Sequence, residues 1–152
     1  MFAAVLACSG AEPASHTVPE STQALDSLDL MHADRTVVIA QLQHPDPAAR
    51  KAAAAELSYV RFDHESIPAL VDAIRTETDD DVIHRLIGCL LNYQDQRGVD
   101  AVAKIYLSES SPANEAPLVS GLRGADPRFV QEAMTTYGYI NPERAARFLP
   151  NP

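Results

Sequence analysis

The chain has 152 residues, enough for one domain with a sizeable core. Its hydrophobic fraction is 46%, yet aromatics make up only 6% and Trp is absent, which favours helices packed through small side chains over a β-sandwich. The formal net charge of −9 would repel a phosphate backbone, so no nucleic-acid partner is expected; the excess of acid otherwise serves solubility.

In chain order, the run Val5-Leu6-Ala7-Cys8 resembles a bacterial lipobox, in which the cysteine becomes lipidated. Residues 1–8 are read as a residual signal and lipobox segment. Residues 9–20, rich in small and polar residues and Pro, bury too little apolar surface to fold and read as a flexible linker. A secretory signal carries a basic n-region and about 7–15 apolar residues. Here seven residues precede Cys8 and none is basic, so the lipoprotein reading places the true start upstream. The alternative is a frayed cytoplasmic N-terminus. No stretch reaches the roughly 20 apolar residues of a spanning helix, so membrane contact is expected only through a lipid on Cys8.

Residues 21–152 read as a helical domain. Leu25, Leu28, Leu30 and Met31 mark a short helix within 21–33 that caps or docks on the rest. Thr36 to Gln43 is the first helix of a hairpin, ended by His44-Pro45-Asp46-Pro47. Asp46 is placed as the N-cap of a second helix running to about Tyr59, with Pro47 in its first position. Ala49, Ala53, Leu57 and Val60 form the inward stripe of that helix. Arg61 to Glu65 is a polar connection, and Ser66 caps a helix with Ile67, Leu70, Val71 and Ile74 inside. Asp79-Asp80-Asp81 supplies caps and dipole compensation for a helix of about Asp81 to Tyr93 that buries Ile83, Ile87, Leu90 and Leu91. Gln94 to Gly98 is a turn, and Val99 to Leu107 is the next helix. After a break at Ser108 to Pro112, a weaker helix covers Asn114 to Leu122. Asp126-Pro127 and Asn141-Pro142 start two last helices, about Pro127–Tyr137 and Pro142–Phe148, with Gly138 stopping the first.

These helices repeat. Asp46 aligns with Asp80, Ala49 with Ile83, Ala53 with Ile87 and Leu57 with Leu91, each 34 positions on. Leu70 aligns with Val102 and Ile74 with Tyr106 at 32. A fixed period in a helical chain means stacked hairpins. The expected fold is all-α: a short right-handed α-solenoid with three clear hairpins and a degenerate fourth as the C-terminal cap.

The segment from Leu42 through Pro45-Asp46-Pro47-Ala48-Ala49-Arg50-Lys51 to Leu57, followed by Ile67-Pro68-Ala69-Leu70, resembles the HEAT-like repeat family. It is similar in particular to bacterial repeats of the phycobilisome-lyase type. That resemblance covers about residues 36–125 and fades in the third repeat. It implies that second helices line a partner-binding face and that the Asp and Arg positions form a ladder between repeats. By resemblance, Asp46, Arg50 and Asp80 would be structural, and Lys51, Ser58, Arg85 and Asn92 would form the binding face.

Nothing in the chain has the spacing of catalytic or metal-binding machinery. No HExxH, GxSxG elbow or Gly-rich phosphate loop occurs, and Asp79-Asp80-Asp81 lacks the central Gly and closing Glu of an EF-hand. Asp63-His64-Glu65 is the one local acid and histidine cluster, and it reads as a polar turn. Cys89 reads as a small core residue and Cys8 stands apart from it, with no CxxC pair. The expectation is a non-catalytic scaffold for an unidentified protein partner, with no cofactor and no metal, lipid-anchored in a bacterial cell envelope. Its alternative is a cytoplasmic adaptor or regulatory subunit of an enzyme, with a lyase-type accessory behind it.

Overall fold

The computed structural model describes residues 34–59, 66–93, 95–108 and 114–150. The lipobox with Cys8, the linker at 9–20, the helix expected within 21–33, and the Asp63-His64-Glu65 turn lie outside the described residues. Eight helices and no strand are found among the described residues: α1 (Arg35–Gln41), α2 (Pro47–Leu57), α3 (Ser66–Thr76), α4 (Asp80–Asn92), α5 (Gln96–Ser108), α6 (Glu115–Gly124), α7 (Pro127–Tyr137) and α8 (Pro142–Ala145).

A recurring device starts these helices. An Asp or Asn just outside the first turn accepts from a backbone N–H that the helix leaves unmatched. Asp34 takes Thr36 N at 2.8 Å, Asp46 takes Ala48 N at 2.9 Å, and Asp126 takes Arg128 N at 2.9 Å. Asp95 takes Arg97 N at 2.9 Å, and Asn141 takes Arg144 N at 3.1 Å. Pro47, Pro127 and Pro142 occupy the first helical position, where the missing N–H costs nothing.

The helices alternate between two layers. One layer stacks α3, α5 and α7, with α1 at its N-terminal end, and the other stacks α2, α4 and α6; each hairpin contributes one helix to each. This is a short helical solenoid. Its core runs between the layers, where Leu57, Leu70, Ile74, Ile83, Leu86 and Leu90 are fully buried, continuing into Ile105, Tyr106, Leu118 and Met134. The terminal α8 is a single turn. It is held by Arg144, which donates to Tyr106 O at 2.6 Å, and by the edge-to-face contact of Tyr106 with Phe148 at 5.4 Å.

Five expectations change. The cap of α4 is Asp79, which accepts from Asp81 N at 3.0 Å and Val82 N at 3.1 Å, whereas Asp80 is the first helical residue. The repeat between α2 and α4 is therefore 33 positions, from Asp46 to Asp79, and not 34. At 33, Ala49, Ala53, Ala54 and Leu57 fall on Val82, Leu86, Ile87 and Leu90, all buried; at 34, Ala54 falls on exposed Gly88 and Leu57 on half-buried Leu91. Ser66 is the first residue of α3 and is buried, so it does not stand outside the helix as a cap.

Gly98 is not in a turn but in the first turn of α5, where a Cβ would stand 2.0 Å from Leu90 O. Glycine there lets α4 and α5 touch backbone to backbone. Gly138 does follow α7, but at φ −58° it is right-handed, so no left-handed stop is made. A Cβ on it would sit 3.0 Å from that of Ala145, so its smallness admits the return of α8.

Candidate functional site

The two junctions of the α2–α4–α6 layer are built differently. Between α2 and α4 the contact is polar and continuous. Arg50 donates from Nε to Glu77 Oε2 at 2.6 Å and from its second terminal nitrogen to Oε1 at 2.7 Å. Its remaining nitrogen donates to His44 O at 2.8 Å and Pro45 O at 3.0 Å. One guanidinium thus ties the loop of the first hairpin to the loop of the second, using the planar fork that suits a carboxylate. Glu77 Oε1 also accepts from Thr78 N and Asp79 N, so it shapes the turn that leads to the α4 cap. Hydrogen bonds from Arg50 hold the Glu77 carboxyl down at about 2, and the same contacts push Arg50 up.

At the other end of the junction, α4 closes the C-terminus of α2. Asn92 donates to Ser58 O at 2.9 Å and Tyr93 donates to Leu57 O at 3.4 Å, meeting carbonyls that the end of a helix leaves orphaned. Cys89 lies beneath them, its sulfur 3.8 Å from the Tyr93 hydroxyl, and burial pushes its thiol up to about 11. On the surface Lys51 pairs with Asp81 at 2.8 Å, which lowers the Asp81 carboxyl.

Between α4 and α6 no hydrogen bond or ion pair joins the two helices among the described residues. They meet at Gly121, where a Cβ would lie 2.6 Å from Ile87 Cγ2 and 3.0 Å from Leu91 Cδ1. Above that contact a groove of about 740 Å³ opens, bounded by His84, Gly88 and Leu91 of α4, Ser120 and Gly124 of α6, and Phe129 at the start of α7. Gly88 and Gly124 have open space where a Cβ would stand. His84 donates from Nδ1 to Asp80 O at 2.7 Å, which fixes its ring over the groove wall. Arg128 lines the same groove and pairs with the α7 cap Asp126 at 2.8 Å.

Of the residues expected to be structural, Asp46 caps α2 and Arg50 forms an inter-repeat rung. The rung's acid is Glu77, not Asp46 or Asp80: its two oxygens accept from two nitrogens of the Arg50 fork, and its side chain is only 4% exposed. The four residues expected on the binding face divide. Lys51, Ser58 and Asn92 are engaged in the α2/α4 junction, Ser58 also donating to Ala55 O at 2.6 Å. Arg85 is exposed on α4 but does not line the groove that His84 borders. The groove-lining His84, Gly88, Ser120, Gly121 and Gly124 were missed. Gly88 and Gly121 carried a signal, since glycines inside helices are unfavourable unless something approaches closely. Among the described residues no group of three His, Cys, Asp or Glu side chains is placed to hold a metal, and no helix is long and apolar enough to cross a membrane.

This arrangement belongs to the class of stacked helical-hairpin repeats. Residues 23–91 match the family model for HEAT repeats, which takes in α1 to α4 and extends into residues outside those described. Over that span the chain is similar to HEAT repeats, which generally serve as protein-interaction scaffolds. No curated protein and no solved structure matches the chain.

Proposed function

We propose that this chain is a non-catalytic protein-interaction scaffold whose partner lies in the groove between α4 and α6, and that a lipid on Cys8 holds the domain at a bacterial cell envelope. The observation that carries the binding role is the contrast between junctions. The α2/α4 contact is closed by side chains from both repeats, while the α4/α6 contact leaves an open, mostly apolar groove bounded by glycines. A concave apolar surface with a few convergent polar groups is the ordinary form of a binding site. The anchoring role rests on Val5-Leu6-Ala7-Cys8 and the linker that follows it.

The test is affinity capture from the source organism with three baits: the unaltered chain, Cys8→Ser and Gly88→Trp. Intact mass is read on each recovered bait. The proposal expects a diacyl or triacyl mass increment on the unaltered chain, its loss in Cys8→Ser, and loss of the partner in Gly88→Trp. A Gly88→Trp bait that retains every captured protein removes the groove from the binding role. An unmodified chain that brings down a cytoplasmic enzyme makes the protein an adaptor or regulatory subunit.

A further inference from the structure

We infer that a second groove, between α3 and α5 on the other layer, binds a partner helix that carries acidic residues two turns apart. This groove has a volume of about 490 Å³ and shares no lining residue with the α4/α6 groove. Two helical stripes face each other across it. Ile67, Val71 and Arg75 follow one another at every fourth residue of α3, and Arg97, Ala101 and Lys104 share one face of α5. Each stripe joins apolar or small residues to cations. Three of the chain's 12 Lys and Arg residues thus line one groove of a molecule with 21 acids.

The decisive feature is a carboxylate that helix geometry offers to Lys104 and the fold withholds. Asp100 also lines the groove, four residues before Lys104, the spacing and order at which a helix best pairs an acid with a lysine. That pair is not made. Asp100 Oδ1 accepts from Gln96 Nε2 at 2.7 Å, and Oδ2 accepts from the Tyr137 hydroxyl at 3.2 Å. Gln96 is itself fixed by a second bond to Phe129 O at 3.0 Å. Lys104 is left on the face of the Tyr137 ring, 4.3 Å from its centre, and meets no carboxylate among the described residues. Arg75 meets Asp72 at 3.7 Å with both side chains exposed, a contact that contributes little in water. Arg97 is braced by Asp95, the cap of its own helix. Neither Asp72 nor Asp95 lines the groove, so its border is cationic.

The spacing selects the form of the ligand. Arg97 and Lys104 stand two turns apart on α5, about 10 Å at the rise of a helix. Acidic residues at i and i+7 of a helix lying along the groove have that same separation. Between the cations Ala101 is small, and Ile67 and Val71 offer apolar contact from the opposite wall. Apolar residues at i+3 and i+4 of the partner helix meet that floor while its acids meet the cations. A polyphosphate chain has no apolar face for the floor.

The probe is a fluorescein-labelled helical peptide of Leu, Ala and Glu, with Glu at i and i+7. One counterpart carries Gln in place of Glu, and another holds the same residues in an order with no amphipathic face. Binding to the full chain is followed by anisotropy at low and physiological salt. The variants are Arg75→Glu/Lys104→Glu, Pro68→Trp, which fills this groove from an exposed position, and Gly88→Trp in the other groove. Circular dichroism confirms the fold of each, and Arg97 is left intact because it braces the α5 cap. The inference expects the Glu peptide to bind roughly tenfold or more tightly than either counterpart and to weaken with salt. The double charge reversal should remove that advantage, Pro68→Trp should block binding, and Gly88→Trp should leave it unchanged. Equal binding of the Glu and Gln peptides overturns the acidic assignment, and equal binding of the reordered peptide overturns the helix. Binding that survives Pro68→Trp but is lost in Gly88→Trp overturns the site and moves the peptide to the α4/α6 groove. Failure of the Glu peptide to bind at low salt overturns the inference outright.

Discussion

The two junctions of one helical layer show how a repeat protein divides stability from recognition. The α2/α4 junction spends its polar groups inward: Arg50 on Glu77, Asn92 and Tyr93 on the last carbonyls of α2. The α4/α6 junction spends none and meets at one glycine, leaving a groove open beside it. In a one-dimensional stack each interface contributes separately to stability, so a firm junction can support a neighbour left open for a ligand.

The largest way to break this comparison is at the buried apolar positions. Leu90 and Leu91 are adjacent, but Leu90 is fully buried in the core and Leu91 is half-buried at the groove. Leu90→Ala should cost about 2–5 kcal/mol, read as the midpoint of urea unfolding, and Leu91→Ala clearly less. Equal losses would mean that the groove is as tightly packed as the core.

Next in size is the acid dependence of the firm junction. Glu77 titrates at about 2 when folded against 4.5 for an ordinary glutamate, a difference of about 3 kcal/mol. Because the folded value is the lower one, the contribution is complete above pH 4.5 and is lost as pH falls toward 2. Melting temperature should fall across that window, and Glu77→Gln should lower it at neutral pH while flattening the acid loss. An acid profile unchanged by Glu77→Gln would place the acid-sensitive contact elsewhere.

The smallest effects distinguish the glycines of the open junction. A methyl at Gly121 would press on two flexible side chains, so Gly121→Ala should cost about 1–2 kcal/mol. Gly88 has open space, and Gly88→Ala should instead stabilise by about 0.5–1 kcal/mol through helix propensity. Thermal melts of the two variants moving in the same direction would show that the α4/α6 contact is placed differently.

Much of the fold was legible in the chain because each hairpin announces itself. The Pro-Asp-Pro and Asp-Pro starts, the apolar stripes of α2 and α4, and the offset of 32 between α3 and α5 are local signals, and the helices lie where those signals put them. The register between α2 and α4 was misread by one because Asp79-Asp80-Asp81 offers three equivalent acids, and only the burial of Leu86 and Leu90 decides among them. Gly98 was assigned to a turn since its reason for being glycine is Leu90 O on another helix. The site was less legible than the fold. Lys51 and Asn92 look outward on a helical wheel, and only the neighbouring repeat reveals that Asp81 and Ser58 O are waiting for them. Glu77 and the groove likewise exist only once two repeats are stacked.

The buried thiol of Cys89 turns the firm junction into a clock. With no exposed surface and a proton held to about pH 11, the sulfur is inert toward thiol reagents while α4 stays seated on α2. In a Cys8→Ser chain, modification by a thiol reagent then waits on the parting of those two helices. Its rate, read by mass over time, should report how often the stack opens at this one level, without denaturant and without any label on the native surface.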